Sequence, residues 1–226
     1  MTFADHVINF NRKLWLPEEP IKGIKSLNPF VENQEVGNIS RHFYKKFYDD
    51  CHQRHLILGI NPGRLGAGAT GIPFTDTKRL TEVCGIAIGS VQTHEPSSVF
   101  VYDLIEAYGG AECFYGRYYI NSVCPLGFVT QSKKGNWVNC NYYDDEQLFE
   151  TLYDFMVIGL KKQIAFGINT ETCYVLGKKN AKYLKRINDR EKLFETLVVF
   201  DHPRYIAQYK SKQIPEYLEH FLGQLT

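Results

Sequence analysis

The sequence predicts an α/β fold: a single domain with a central four-stranded parallel sheet flanked by helices on both faces. Four short apolar segments alternate with longer segments of helical periodicity, which is the order of elements in a parallel sheet. The chain has 226 residues, of which 44% are hydrophobic, so one sizeable core can form. Because no internal repeat or linker divides the sequence, we expect one domain over residues 1–226.

Charge and cysteine usage narrow the possible function classes. The formal net charge is only +1, so binding to nucleic acid would require a local basic face. The six cysteines contain no C-x-x-C pair, and we expect neither a metal nor a cofactor. The sequence shows no secretory signal and no run long enough to span a membrane. These features predict an intracellular protein with reduced thiols, cytoplasmic if bacterial.

In the first half of the chain, periodicity predicts helices on either side of one buried strand. The first helix covers residues 2–14, where Phe3, Val7 and Phe10 recur at helical spacing and Thr2 can cap the helix. Residues 16–29 form a proline-bearing, extended lead-in to which we assign no function. The other elements are a helix that begins at Ser40, a strand over 56–60, a glycine-rich loop to Phe74, and helices over 76–84 and 99–108.

In the second half, three more strands are predicted. A strand over 117–123 is followed by a polar segment over 131–141 without a predicted element. The remaining elements are a helix over 144–160, a strand over 164–168, a helix from 169 or 170 to 185, a strand over 197–200 and a helix over 214–222.

Polar residues follow three of the four predicted strands. Asn61 follows the first strand, Asn121 and Ser122 lie at the end of the second, and His202 follows the fourth. The carboxyl ends of parallel strands meet at one edge of a sheet, where ligands bind. These residues therefore predict one site assembled from distant segments. Phe74, held on a stiff tether after Pro73, would close it.

Each of these residues also has an ordinary structural explanation. Asn61 suits a turn, His202 an ordinary loop, Phe74 a core position, and Asn121 and Ser122 hydrogen-bonded loop positions. Only their expected meeting at one sheet edge favours a functional interpretation.

Three segments carry a more specific pattern. They read Gly-Ile-Asn-Pro-Gly-Arg-Leu-Gly-Ala-Gly-Ala-Thr-Gly-Ile-Pro-Phe over residues 59–74, Asn-Ser-Val-Cys-Pro-Leu-Gly-Phe over 121–128 and His-Pro-Arg over 202–204. The first resembles the first motif of the uracil-DNA glycosylase superfamily, most closely in its single-strand-selective monofunctional (SMUG-type) branch. The second resembles the central motif of that branch, and the third resembles the second catalytic motif of the superfamily. The match keeps the order and spacing of the motifs from residue 56 to residue 210.

The resemblance implies a DNA glycosylase that hydrolyses the N-glycosidic bond of a damaged base flipped out of the duplex. Phe74 would stack on the base, and backbone N–H groups from Ile60 to Gly63 would donate to a base carbonyl. His202 would hydrogen-bond the base oxygen on which negative charge develops. Asn61 would orient the attacking water, with no covalent intermediate and no lysine Schiff base.

Two departures from the SMUG-type pattern indicate a divergent subtype. Where that branch commonly has an asparagine that reads uracil, alignment places Ser122, with Asn121 one residue earlier. Because neighbouring residues on a strand face opposite sides, we expect only one of them in the pocket and favour Ser122. A serine there would loosen base discrimination and could admit xanthine or hypoxanthine.

The second departure is a shortened His-Pro motif. Arg204, Tyr205 and Ile206 would form the wedge that fills the space left by the flipped base, and Lys210 would contact phosphate. A solvated charged face is an equally good explanation of Lys210.

The expected partner is DNA that contains uracil or another deaminated base, and we expect a monomer. Two other functions stay open: a non-catalytic binder of flipped or single-stranded bases, and an N-glycosidase of free nucleosides.

Overall fold

The computed structural model describes residues 1–225. In chain order the strands are β1 (Ile24–Leu27), β2 (Arg54–Gly59), β3 (Tyr118–Ser122), β4 (Gly127–Gln131), β5 (Trp137–Cys140), β6 (Ile168–Leu176) and β7 (Thr196–Phe200). The helices are α1 (Phe3–Arg12), α2 (Pro29–Glu32), α3 (Gln34–Phe47), α4 (Ala67–Thr70), α5 (Thr77–Glu82), α6 (Pro96–Ala107), α7 (Ala111–Arg117), α8 (Glu146–Ile164), α9 (Lys178–Glu191), α10 (Pro203–Tyr209) and α11 (Ile214–Gln224).

The predicted four-stranded parallel sheet is present, in the order β3-β2-β6-β7. Helices cover both of its faces. Ile57 of β2 and Ile120 of β3 are register partners and line one small cavity with Val101 of α6. Tyr119 points to the opposite face, where its ring meets the ring of Phe3 from α1 with centroids 5.2 Å apart. The α/β prediction is confirmed.

Helix α1 shows how local sequence sets an element boundary. Thr2 precedes the helix, and its hydroxyl accepts the N–H of Asp5 at 3.3 Å, while the Asp5 carboxylate accepts the N–H of Thr2 at 3.0 Å. This reciprocal capping satisfies two N–H groups at the helix start. The first predicted helix is therefore confirmed, whereas α3 begins at Gln34, earlier than the predicted Ser40.

The polar segment over 131–141 forms part of a second sheet that the sequence did not predict. Strand β4 pairs antiparallel with both β1 and β5, which gives a three-stranded sheet in the order β1-β4-β5. Strand β5 is exposed except at Cys140. It lacks the apolar alternation that identifies a half-buried strand, so its sequence did not predict a strand.

The predicted third strand and the helix after it were wrong in position. Residue Ile164 ends helix α8, strand β6 begins only at Ile168, and α9 begins at Lys178. Pairing of β6 with β2 is interrupted between Asn169 and Cys173, so the polar residues between them do not pair with β2. A polar bulge inside a strand removes the continuous apolar run expected of a parallel strand.

Among residues 1–225 there is no helix that combines the length and the apolar character needed to cross a bilayer.

Candidate active site

The carboxyl ends of the parallel strands surround a cavity of about 230 Å³, hereafter the strand-end cavity. It is smaller than the roughly 300–1,000 Å³ of pockets for drug-sized ligands, which suits a single nucleobase. Loops after β2 and β7, the last residue of β3, strand β5 and the segment before α6 all contribute to it. Its lining residues are Ile60, Asn61, Pro62, Gly63, Ala67, Pro73, Phe74, Glu95, Ser97, Ser122, Asn139, Asn141, His202 and Arg204.

Asn61 is fixed by the backbone that follows β5. Its Nδ2 group donates to the carbonyl oxygens of Cys140 at 3.2 Å and Pro62 at 3.5 Å, and its Oδ1 accepts the N–H of Tyr142 at 3.0 Å. Both amide protons are therefore used. An amide oxygen has two lone pairs, so Oδ1 can accept one more hydrogen bond.

Behind Asn61, a buried network ties this segment to the sheet. The Tyr142 hydroxyl donates to Asn180 Oδ1 at 2.8 Å. Asn180 Nδ2 in turn lies 3.1–3.3 Å from the carbonyl oxygens of Leu58, Gly59 and Leu176. A fully satisfied buried network of this kind is rigid. It holds the ends of β2 and β6 and the position of Asn61 together. Neither Tyr142 nor Asn180 was predicted from the sequence.

His202 is held as a neutral hydrogen-bond donor. Its Nδ1 accepts the backbone N–H of Arg204 at 3.1 Å, at the start of α10. Loss of hydration, and then the nearby Arg204 charge, lower the pKa of His202 to about 4. With Nδ1 occupied as an acceptor, the single proton of the neutral ring belongs on Nε2. His202 can therefore donate from Nε2 at neutral pH.

Phe74 packs against the end of β2 with its ring beside the histidine. A Cβ on Gly59 would lie 3.0 Å from Phe74 Cε2, so the ring needs a glycine beneath it. The Phe74 backbone has a φ of 52°, a left-handed conformation that is rare for a bulky residue. Its ring centroid lies 5.9 Å from that of His202, at an angle of 50°. The strained backbone of Phe74, at the end of the glycine-rich loop, therefore places this ring beside His202.

The structure separates the two residues at the end of β3. Ser122 lines the strand-end cavity. Asn121 does not: its Nδ2 donates to the Tyr119 hydroxyl at 2.7 Å, and its Oδ1 accepts the N–H of Ser122 at 2.8 Å. Asn121 was predicted as a possible base-binding residue, but these contacts hold its amide away from the cavity.

At the rim of the cavity, the predicted wedge residues divide into exposed and buried ones. Arg204 and Tyr205 are exposed, and Arg204 also lines the cavity. Ile206 is completely buried in the core, so it cannot enter a base stack and its assignment to the wedge is corrected. Lys210 follows α10 and is partly exposed. The 3.6-residue period of α10 explains why Ile206 faces inward although Arg204 and Tyr205 before it are exposed.

Glu95 is a cavity residue that sequence reasoning missed. It precedes α6, and its carboxyl group lies over Gly66, where a Cβ would overlap Oε2. Burial, then repulsion from Asp76, raise the pKa of Glu95 to about 7. Oε2 is buried and, within the described part of the chain, has no hydrogen-bond partner. Strongly perturbed acids in clefts are frequent at functional sites.

No group of three or more His, Cys, Asp or Glu side chains within residues 1–225 has the arrangement of a metal site.

Comparisons with known proteins place the chain in a family. The model of the "Uracil DNA glycosylase superfamily" matches residues 45–226. The crystal structure of wild-type Pedobacter heparinus SMUG2 is 46% identical to the chain, with a TM-score of 0.95. That match covers 99% of this chain and 96% of the other. No curated protein matches the sequence.

The family model covers most of the chain, and it includes every strand of the parallel sheet and every cavity residue named above. The structural match adds high identity over almost the full length. The chain therefore belongs to the uracil-DNA glycosylase superfamily, in its SMUG-type branch, and is a DNA glycosylase.

Proposed function

We propose that this protein removes uracil and other deaminated bases, such as xanthine and hypoxanthine, from DNA by direct attack of water on the sugar. The observation that carries the proposal is the neutral His202, whose Nε2 proton is available in a cavity with room for one base. Asn61 and Phe74, both held rigidly, complete the set of groups that the reaction needs.

The flipped base would rest against Phe74, with Ser122 at its edge. Phe74 lines the cavity and is nine-tenths buried, so its ring loses little freedom when a base binds. Stacking on an aromatic ring is worth about 1–3 kcal/mol per base and does not depend strongly on base identity. Recognition of the base would therefore fall to the polar groups around its edge.

Cleavage of the glycosidic bond leaves its electron pair on the base. The Nε2–H of His202 would donate to the base carbonyl oxygen where this charge collects. A neutral donor suits this role, because it already holds its proton and needs no protonation step. One such preorganised donor is typically worth about 3 kcal/mol, or roughly a hundred- to thousand-fold in rate.

Asn61 would hold the attacking water. Its one free lone pair on Oδ1 can accept a proton of the water, which leaves the water oxygen free to face the sugar. An amide is not a base, so this contact orients the water without activating it.

Ser122 supports the wider range of bases. A hydroxyl rotates and can donate or accept a hydrogen bond, so it does not demand one pattern at the base edge. An asparagine would present a fixed donor and a fixed acceptor. Tolerance of xanthine and hypoxanthine beside uracil follows from this difference.

The test uses oligonucleotides with a single uracil, xanthine or hypoxanthine, and alkali to break any abasic site. We expect strand breaks with the wild type, and losses of at least a hundredfold in Asn61→Ala and His202→Ala. His42→Ala, an exposed histidine of α3, is the matched control and should keep full activity.

The same experiment separates the other functions. Binding of uracil-containing DNA without any strand break would overturn the enzyme assignment in favour of a base-binding protein. Release of uracil from free deoxyuridine at a rate equal to that from DNA would indicate a nucleoside N-glycosidase.

A further inference from the structure

The site described above lacks an acceptor for the proton that water loses when it attacks. Both Asn61 amide protons are bound to carbonyl oxygens, and its remaining lone pair is not basic. His202 already holds its proton on Nε2, and its Nδ1 is occupied by the Arg204 N–H. Among the described residues, Glu95 is the only acidic side chain that lines the strand-end cavity.

The backbone of Glu95 is held firmly. Its N–H donates to Asp76 Oδ2 at 3.0 Å, and its carbonyl oxygen accepts the N–H and the hydroxyl of Ser98 at 3.0 Å and 2.7 Å. Pro96 restricts the next position at the start of α6. The Glu95 side chain therefore starts from a fixed backbone position and extends toward the glycine-rich loop.

The loop side of the contact is shaped to receive the carboxyl group. Gly66 lies directly beneath Glu95 Oε2, and any side chain there would displace the carboxyl group. A Cβ on Gly63 would lie 3.8 Å from Oε1. Asn61, Gly63 and Glu95 all line the strand-end cavity, so the carboxyl group faces the same space as the segment that would hold the water. Within residues 1–225, Oε2 has no hydrogen-bond partner, so this oxygen is not committed to a structural hydrogen bond there.

We propose that Glu95 is the general base of the glycosylase reaction and takes the proton of the water that Asn61 orients. This inference rests on the proposed function. As the C1′–N bond breaks, its electron pair passes to the base. A bond forms between the water oxygen and C1′, and the second water proton moves to the Glu95 carboxylate.

The charges around Glu95 suit this role. Burial, and then the Asp76 carboxylate, raise the pKa of Glu95 to about 7, while the Arg204 guanidinium opposes the rise. A general base works best when its pKa is near the operating pH. Burial opposes ionisation of Asp76 as well, but hydrogen bonds from the N–H groups of Arg79 and Glu95 keep its pKa below the usual value.

The experiment measures single-turnover cleavage of a uracil-containing oligonucleotide by excess enzyme. Glu95→Gln should lower the rate constant by about a hundredfold or more, with unchanged affinity for DNA that holds a non-cleavable uracil analogue. Glu106→Gln, an exposed glutamate near the other end of α6, is the matched control and should keep the wild-type rate.

Two further readouts distinguish a base from a structural residue. The wild-type rate should fall as the pH drops below about 7, and Glu95→Gln should lose this dependence. Formate added to Glu95→Ala should restore part of the rate, because it returns a carboxylate to the vacated space. His94 is a second titratable group near this site, because its Nδ1 lies 3.4 Å from Asp76 Oδ2. His94→Asn is therefore included, and its rate should still fall as the pH drops below about 7.

A wild-type rate in Glu95→Gln would overturn the proposal. A slow Glu95→Gln variant whose rate still falls below about pH 7 would also overturn it, as would a His94→Asn variant whose rate no longer falls there. A folded Glu95→Ala protein that formate does not rescue would overturn it as well. Failure of the wild type to cleave any base would instead overturn the proposed function, so the two failures are distinguishable.

Discussion

Ser122 is the side chain whose chemistry we expect to set base choice. It lies at the end of β3 and lines the strand-end cavity, while the adjacent Asn121 is engaged by Tyr119. Ser122→Asn would place a fixed donor and acceptor at the base edge in place of a rotating hydroxyl. Because a net hydrogen bond contributes about 1 kcal/mol, we expect the preference for uracil over xanthine to rise roughly fivefold.

This prediction is measured as the ratio of kcat/KM for uracil to that for xanthine in otherwise identical oligonucleotides. Asn121→Ser is the neighbouring control and should leave the ratio unchanged, because Asn121 does not line the cavity. An unchanged ratio in Ser122→Asn, or a shift in the control of the same size, would contradict the assignment.

At the scale of single residues, the sequence predicted those cavity members that follow a strand or belong to a motif. Asn61, Ser122 and His202 have such positions, and the structure brings all three to one cavity. Glu95 has no such signal. It lies between strands, and only tertiary contact with Gly66 and Asp76 makes it unusual. A lone glutamate before a proline gives no hint of burial.

The helix α10 is the element that would enter DNA, and its two neighbouring apolar residues have opposite environments. Tyr205 is 42% exposed beside the cavity, whereas Ile206 is fully buried. Tyr205→Ala should remove a stacking surface worth about 1–3 kcal/mol and slow cleavage of duplex DNA about tenfold. Cleavage of single-stranded DNA, which needs no wedge, should change little.

Ile206→Ala provides the contrast within the same helix. Deletion of a buried isoleucine should lower the free energy of unfolding by about 2–5 kcal/mol without a specific effect on duplex cleavage. Urea unfolding and paired assays on duplex and single-stranded oligonucleotides measure both variants. Equal losses on the two DNA forms in Tyr205→Ala would show that this residue is not part of the wedge.

Among the elements, those with strong periodicity or clear caps were predicted well, and those shaped by tertiary pairing were not. Helix α1 and strand β7 fall close to their predicted positions. Strand β6 does not, because its first half is polar and bulged. Strand β5 is exposed along most of its length, yet its Asn139 lines the cavity. Pairing with β4, rather than local pattern, defines that strand.

The whole molecule divides into a functional edge and a structural edge of the same parallel sheet. The carboxyl ends of the strands carry the cavity, whereas the amino end of β2 carries a buried arginine. Arg54 is fully buried, and its Nη1 and Nη2 groups each donate to Asp50 at 2.8 Å. Its Nε donates to the carbonyl oxygen of Tyr115 at 2.8 Å, and its guanidinium lies 4.8 Å from the ring centroids of Phe3 and Tyr48. Arg54 thus joins the helices at this edge.

Asp50→Asn would leave the Arg54 charge buried without its counterion. Because that charge stays desolvated, we expect a loss of about 3 kcal/mol in the free energy of unfolding at pH 7. The hydrogen bond from Arg54 lowers the pKa of Asp50, although burial opposes this. The carboxylate therefore stabilises the fold above the ordinary aspartate pKa of about 3.9, and this contribution is lost as the pH falls through the lowered value.

Chemical denaturation at pH 7 and at acidic pH measures the effect, with Asp49→Asn as the control. Asp49 is exposed and pairs with Lys45, so its substitution should cost less than about 1 kcal/mol. The gap between wild type and Asp50→Asn should narrow in acid, and base excision at pH 7 should be unchanged while the variant is folded. A variant as stable as the wild type at pH 7, or one that loses excision while still folded, would show that the amino edge does not serve stability alone.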